Sequence, residues 1–462
     1  MAANPTIPTE LGTEKIGKLL KQYALPAIIA QTASSLYNMV DSIFIGQGVG
    51  PLAISGLAVT FPLMNLSTAF GTLVGAGAAT MLSVLLGQKN YKAASKVLGN
   101  VVSLNIIIGL IFMALALIFI DPILYFFGAS ENTLPYAKEY MKIILYGNII
   151  THLYFGLNAA MRSSGSPKKA MGLTIFTVVF NTILDPIFIF VLDMGVAGAA
   201  WATVIAQTIA MFVVLHHFND RKRAFHFEKG ILSLDRRVAK DSLAIGLGPF
   251  LMNSAACLVT LFINQQLRDY SGDLGIGAYG ICNRFIFMFI MICMGLNQGM
   301  QPIAGYNYGA RQYSRVKEVF RHTALLATVI TSICFAIGMF MPRAAVRIFT
   351  SDGELMGMAA EGLRILTLMF PIVGFQMIGT NFFQSLGMVK KSVFLSLSRQ
   401  ILFLLPLLYT LPQWFGAKGV WFSFPVSDLI SAVMTAFMLT HLFRKFNKLN
   451  DGDDPTVLGS QI

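Results

Sequence analysis

Charged residues are scarce in this 462-residue chain, where Asp, Glu, Lys and Arg together make up only 12%. Soluble globular proteins carry about a quarter of charged residues, so this scarcity argues against one large soluble core. Only four cysteines are present, all in apolar runs and none in a CxxC pair, which argues against a disulfide framework or a zinc site. The six histidines show no HExxH or similar spacing. We therefore predict no metal site and no cofactor.

Hydrophobic residues, in contrast, make up 55% of the chain, and apolar runs of about 20 residues, the length that spans a bilayer, recur throughout it. A span must satisfy its backbone hydrogen bonds internally, which predicts helix for each run. The first 22 residues are polar, so we expect no cleavable signal peptide and expect the first span to direct insertion. We predict twelve spans: 22–47, 51–84, 96–119, 138–161, 169–191, 196–217, 240–267, 275–305, 318–340, 359–385, 391–410 and 417–443.

The basic residues alternate in density from one loop to the next. With the N-terminus in the cytoplasm, 25 of the 34 Lys and Arg fall in cytoplasmic loops and six on the opposite side. Because cytoplasmic loops are enriched in Lys and Arg, this bias predicts that both termini are cytoplasmic. It also explains the net charge of +12 without a nucleic-acid partner.

A polar linker over 218–239 divides the helices six and six. This predicts an N-lobe over 1–217, a C-lobe over 240–445 and a polar tail over 446–462, in which Asp451–Asp454 is expected to be disordered. The lobes also resemble each other at a constant offset of 222: GQKNYK at 87–92 matches GARQYS at 309–314, and GSPKK at 165–169 matches GMVKK at 387–391. Six helices per repeat keep both repeats in the same orientation, so the fold class predicted is an all-α integral membrane protein built from a parallel internal repeat.

Three acidic residues lie well inside predicted spans, namely Asp41, Asp185 and Asp428. An ionised Asp at a helix centre costs roughly 2.5–3.5 kcal/mol on the insertion scale, so each is a candidate functional residue. A hydrogen bond or buried ion pair would be a structural alternative. For Asp428 the ion pair is the simpler account, because the C-lobe spans hold Arg284, Arg364 and Arg399.

Asp41 and Asp185 are predicted at similar depth in the outer half of the membrane. Asp41 follows Lys21 by about 30 Å of helix and Asp185 follows Lys169 by about 24 Å. Thr203 on the sixth helix lies at a comparable depth. Tyr37 and Asn181 each precede one of the two carboxylates by four residues, on the same helix face. These oxygen-rich side chains predict a binding site for H⁺ or Na⁺, since burial and a second nearby carboxylate both favour a bound cation.

Pro186 directly follows Asp185. Proline removes a backbone donor and leaves a carbonyl one turn earlier unpaired. That carbonyl could be a further cation ligand, and the fifth helix could bend or hinge there. The sequence does not separate a static kink from a hinge.

Several motifs resemble one family of transporters. QGMQPIAGYNYGAR at 298–311, GAGAA at 75–79, YGICNR at 279–284 and the Asp185-Pro186 pair are similar to motifs of the multidrug and toxic compound extrusion (MATE) family, over about residues 15–445. The context resembles the bacterial multidrug-exporter branch.

The resemblance implies two six-helix lobes forming a V-shaped cleft and cation-coupled export of organic, often cationic compounds. It maps Asp41, Asn181, Asp185 and Thr203 onto the N-lobe cation site of the family. The acidic pair that other members carry in the seventh and tenth helices has no counterpart here. The expected setting is a bacterial plasma membrane, with xenobiotics and the bilayer as partners and a monomer as the working form.

The alternative within the same superfamily is a lipid-linked oligosaccharide flippase, which would use a basic cleft. The in-span arginines leave that interpretation open. A membrane-embedded enzyme would need a polar cluster at the membrane surface and a substrate-binding loop, and the sequence offers neither. We therefore predict a transporter, not an enzyme.

Overall fold

The computed structural model describes residues 9–220, 226–227, 234–350 and 352–453, without the side chains at 36–40, 42–43, 46–47, 51, 54 and 273. Almost all of these residues are helical and none forms a strand, which confirms the all-α prediction. The helices are α1 (Glu10–Thr13), α2 (Ile16–Gly48), α3 (Pro51–Gly87), α4 (Tyr91–Ile118), α5 (Ile120–Phe126), α6 (Leu134–Tyr146), α7 (Asn148–Ser163), α8 (Pro167–Pro186), α9 (Gly195–Asn219), α10 (Arg236–Gly272), α11 (Leu274–Gly309), α12 (Tyr313–Phe340), α13 (Pro342–Arg347), α14 (Gly353–Thr367), α15 (Phe370–Ser385), α16 (Val389–Leu397), α17 (Leu405–Phe415) and α18 (Ala417–Phe446). Two π-helical segments, Ile187–Val191 and Ser398–Leu404, extend α8 and join α16 to α17.

Nine membrane spans in the described part of the chain are each long and apolar enough to cross a bilayer, and α14 with α15 makes a tenth as a pair bent by 54°. The first and fourth predicted spans correspond to α2 and to the pair α6 and α7. Two spans predicted as continuous are interrupted. The fourth divides at Gly147, and the tenth divides before α15, whose first turn contains a proline. Proline has no N–H to continue the preceding helix, which accounts for the second break.

The internal repeat is visible in the backbone. Helices α4 and α12 begin and end at positions that differ by 222, and so do α7 and α15, which is the same offset that the sequence motifs have. Lys89 and Arg311 both have a φ of 59°, and the pairs Gly50 with Gly272 and Gly165 with Gly387 also share positive φ. Each pair stands at a helix end, so the two halves turn their chains in the same places.

The chain forms two compact units. Unit 1 comprises Met1–Thr13 and Ile29–Phe250, and unit 2 comprises Glu14–Ile28 and Leu251–Ile462. Helices α2 and α10 therefore each contribute one part to unit 1 and another to unit 2. The linker residues 221–225 and 228–233, including four of its basic residues, lie outside the described part.

Close contacts between helix backbones at glycine positions explain why each part of α2 and α10 belongs to its unit. In unit 1, a Cβ on Gly246 of α10 would lie 1.7 Å from the carbonyl oxygen of Leu73. In unit 2, a Cβ on Gly299 of α11 would lie 2.4 Å from the Cα of Ala24 on α2. Glycine lets helix backbones approach this closely in membranes, so the beginning of α2 is fixed to unit 2.

Asp451–Asp453 after α18 make specific contacts with the start of α12, so the prediction of disorder is wrong for these residues. The backbone N–H of Ser314 donates to Asp451 Oδ1 at 2.9 Å, and Gly452 N–H donates to the carbonyl of Arg311 at 2.8 Å. In the first repeat, Asn90 caps α4 with its own side chain, whereas the equivalent Gln312 gives α12 no such cap. Asp451 supplies that cap from the far end of the chain.

Candidate cation-binding site

Asp185 lies in the last turn of α8, immediately before a change in helix type. Pro186 keeps helical angles, with φ −63° and ψ −31°, and the chain then continues as the π-helix Ile187–Val191. A proline removes one donor from the hydrogen-bond ladder, and single π turns frequently accompany functional sites. The irregularity expected at Pro186 is therefore a change from α to π hydrogen bonding.

Asn181 connects Asp185 to α9. The amide orientation that satisfies both neighbours has Asn181 Nδ2 donating to Asp185 Oδ2 at 2.8 Å, while Asn181 Oδ1 accepts from Thr203 Oγ1 at 3.0 Å. Asp185 is fully buried and Asn181 is 2% exposed. In the reverse orientation the amide oxygen would face the carboxylate and Nδ2 would face the backbone N–H of Thr203, so the network supports the first orientation.

Asp41 reaches the same place from α2. It is 5% exposed, and its Oδ1 has no hydrogen-bond partner among the described residues. Asp41 and Asp185 are close enough to interact electrostatically. The structure thus brings together the four residues Asp41, Asn181, Asp185 and Thr203. Tyr37 lies on α2, but its side chain is outside the described part, so its expected contribution stays a prediction.

Tyr140 is a neighbour of this site that the sequence did not indicate. It lies on α6, is 2% exposed, and interacts electrostatically with both Asp41 and Asp185. A single tyrosine in an apolar helix has no sequence signature. The only sequence signal for Tyr140 would have been its predicted depth in the membrane, on a helix neighbouring those of the two carboxylates.

The arrangement has the chemistry of a monovalent cation site. The four residues offer carboxylate, amide and hydroxyl oxygens, which are ligands for hard cations. Neither Asp41 nor Asp185 is in an ion pair with a described residue. Two buried carboxylates without a basic partner are costly when ionised, so binding a proton or Na⁺ removes that cost.

Asp428 serves a different purpose in unit 2. Arg399 Nε donates to Asp428 Oδ1 at 2.7 Å, and the Asp428 side chain is 4% exposed. The expected ion pair with an in-span arginine is therefore confirmed. The positions equivalent to Asp41 and Asp185 in the second repeat are Ile263 and Leu407, so the two units differ in their buried charge.

This fold defines a polytopic helical membrane protein, and its unit 1 contains two buried carboxylates. The sequence model of the MatE family matches residues 26–187 and 245–410. The multidrug export protein MepA of Staphylococcus haemolyticus is 28% identical over 427 residues, covering 92% of this chain and 94% of that protein. MepA of Staphylococcus aureus is 28% identical over 431 residues, with the same coverage.

Solved structures give the same result. An outward-facing multidrug resistance MATE family transporter of the MOP superfamily aligns with a TM-score of 0.90 at 23% identity, covering 96% of this chain and all of that one. The MATE multidrug transporter DinF-BH, solved in complex with rhodamine 6G, aligns with a TM-score of 0.87 at 37% identity, covering 95% of this chain and 98% of that one. The twelve-helix, two-lobe fold class is thereby confirmed.

The chain belongs to the MatE family of multidrug and toxic compound extrusion transporters. It is therefore a multi-pass membrane transporter and not an enzyme, as the sequence motifs indicated.

Proposed function

We propose that this protein is a secondary active antiporter of the bacterial plasma membrane that exports organic, often cationic compounds in exchange for H⁺ or Na⁺. The observation that carries the proposal is the pair of buried carboxylates, Asp41 and Asp185, which interact electrostatically and have no basic partner in the described part of the chain. The relatives named as multidrug export proteins, and the neighbour solved with rhodamine 6G, support an organic substrate.

The site supplies a means of coupling. When Asp185 is ionised, Asn181 donates to it and accepts from Thr203. When Asp185 carries a proton, its hydrogen bond from Asn181 is no longer charge-assisted and weakens. A cation at the site thus weakens a network that joins α8 to α9, and it also changes the charge. The change biases the packing of these helices, which is the kind of local event that shifts a conformational equilibrium.

A transport assay tests the proposal. We expect the purified protein in liposomes to move a cationic dye against its gradient when an opposing H⁺ or Na⁺ gradient is imposed. Each gradient is imposed alone, so the coupling ion is identified by which one drives uptake. Dye movement that is independent of both gradients would contradict antiport.

The orientation proposed from the loop charges has its own test. Asp220 at the end of α9 and Glu131 before α6 are both exposed and belong to loops expected on opposite sides. A cysteine at Asp220 should react with an impermeant maleimide only in opened cells, whereas a cysteine at Glu131 should react in intact cells. Three of the native cysteines are buried and Cys257 is half-buried, so a Cys257→Ser background suits the experiment. The opposite labelling pattern would invert the topology.

A further inference from the structure

The two units carry opposite charges inside their spans. Unit 1 has Asp41 and Asp185, whereas unit 2 has Arg284, Arg364 and Arg399 against the single buried Asp428. Arg284 and Arg364 are exposed and form no ion pair with a described residue. The span interior of unit 2 is therefore positive. A charge in this position is expensive unless it has a partner, and such residues commonly belong to substrate paths.

Arg399 is the one arginine of the three that is held in place. It lies in the π-helical segment Ser398–Leu404, where the hydroxyl of Ser427 donates to its carbonyl at 2.8 Å. Asp428 accepts from Nε alone. The two terminal NH₂ groups have no hydrogen-bond partner among the described residues, and the side chain is 31% exposed. Since a guanidinium carries five N–H donors, four of them have no hydrogen-bond partner among the described residues.

The depth of Arg399 limits what can satisfy these donors. It follows Lys391 by eight residues, about 12 Å of helix. Asp428 follows Lys418 by ten residues, about 15 Å from the opposite side. The ion pair is thus near mid-membrane, below the level of lipid headgroups. Unpaired N–H groups at that depth are costly without an acceptor.

An aromatic group lies beside this arginine. Tyr279 of α11 is within electrostatic range of Arg399. Its ring stacks on that of Phe424, with a centroid distance of 5.8 Å and an interplanar angle of 29°. The centroid of the Trp421 ring lies 6.2 Å away. The Tyr279 hydroxyl has no hydrogen-bond partner among the described residues. It is a further donor within electrostatic range of the guanidinium, and the rings provide apolar faces for a flat organic molecule.

We propose that Arg399, positioned by Asp428 and flanked by Tyr279, is an oxyanion subsite that binds the carboxylate or phosphate of an aromatic amphiphile. The two NH₂ groups would form a forked, bidentate contact with the oxyanion, and Asp428 fixes the direction of the fork. Transported substrates would accordingly include zwitterionic and anionic compounds, beyond the organic cations considered above.

Binding of a matched pair of dyes tests this assignment in the purified full-length protein. The probes are rhodamine 6G, a cationic ester, and the acid formed by its hydrolysis, which has the same ring system plus a carboxylate. The variant is Arg399→Gln with Asp428→Asn, because Arg399→Gln alone would leave a buried carboxylate unpaired. We expect it to lose about tenfold or more in affinity for the acid while ester binding stays nearly unchanged. Arg321→Gln, which removes an exposed arginine of α12 that takes no part in the subsite, is the control and should alter neither.

Equal losses for ester and acid, or no loss for either, would overturn the subsite and leave the ion pair structural. Arg399→Lys adds a second readout: it keeps the charge but not the fork, so it should recover only part of the acid binding. Competition by phosphatidylglycerol in mixed micelles identifies the source of the oxyanion. Displacement of the acid from the wild type but not from the variant supports the same subsite with a lipid as ligand. The inference rests on the proposed export of organic compounds, but these titrations need no gradient, so a failure of antiport would not affect them.

Discussion

Asp41→Asn and Asp185→Asn are each expected to reduce cation-driven export to the level of membranes without the protein. Asparagine keeps the shape and hydrogen-bonding capacity of the side chain but cannot take up a proton or neutralise Na⁺. Both carboxylates are nearly or fully buried and interact with each other, so each variant removes half of the charge that attracts the cation. The measurement is gradient-driven dye transport in liposomes, at matched amounts of folded protein.

The control for these variants is Asp121→Asn. Asp121 is a half-exposed carboxylate at the start of α5 that pairs with Lys138 at 2.7 Å, and surface ion pairs contribute little. It should therefore leave export close to that of the wild type. Full coupled export by either Asp41→Asn or Asp185→Asn would remove the proposed cation site, provided that Asp121→Asn also transports normally.

Much of this site could be predicted because charge inside a span is rare. Three buried carboxylates stand out against apolar surroundings, and helix rise places Asp41 and Asp185 at similar depth. Thr203 follows from the same depth argument, and Asn181 from its spacing of four residues. The structure joins Asn181, Asp185 and Thr203 by hydrogen bonds and brings Asp41 within electrostatic range of Asp185. The internal repeat could also be predicted, because a constant offset of 222 relates the two halves in the sequence, and the backbone shows the same offset.

Other features could not be predicted from the sequence, for physical reasons. Tyr140 joins the site through tertiary packing of α6, which no local pattern encodes. The breaks at Gly147 and before α15 interrupt runs whose composition is as apolar as that of an unbroken span, so hydropathy alone does not register them. Asp451 falls in a segment whose acidic residues and glycine are typical of a disordered tail. Its function as a cap for α12 depends on a contact with Ser314, more than a hundred residues earlier in the chain.

The partner of Asp428 could be narrowed but not chosen from the sequence. Three in-span arginines were available, and their helices could not be oriented by periodicity alone. In the structure Arg399, which lies in the π-helical segment after α16, forms the ion pair. Its terminal NH₂ groups have no hydrogen-bond partner among the described residues, which is the basis of the proposed oxyanion subsite.

Saturating cation is expected to weaken binding of a transported dye by roughly tenfold in the wild type, within the usual range of coupling between sites, and to have no such effect in Asp185→Asn. A cation bound by Asp41 and Asp185 balances buried negative charge and lets the helices of unit 1 pack more closely. If the dye prefers the other packing, each ligand must weaken the other, because coupling free energies are reciprocal. Dye titrations at several pH and Na⁺ values measure the effect.

Pro186→Ala probes the structural element through which this coupling would act. Alanine restores a backbone donor, which favours an α-helix in place of the π turn after Asp185. If that turn rearranges during the cycle, the variant should lower turnover more than dye affinity, since the resting site is kept but its change of state is hindered. Pro412→Ala, in α17 of unit 2, is the matched control and should transport normally. Equal turnover in Pro186→Ala and wild type would mean that Pro186 only shapes the helix.

Dye affinity that is the same with and without both cations would instead exclude the coupling itself, because a cation that does not change affinity cannot drive export through the binding equilibrium.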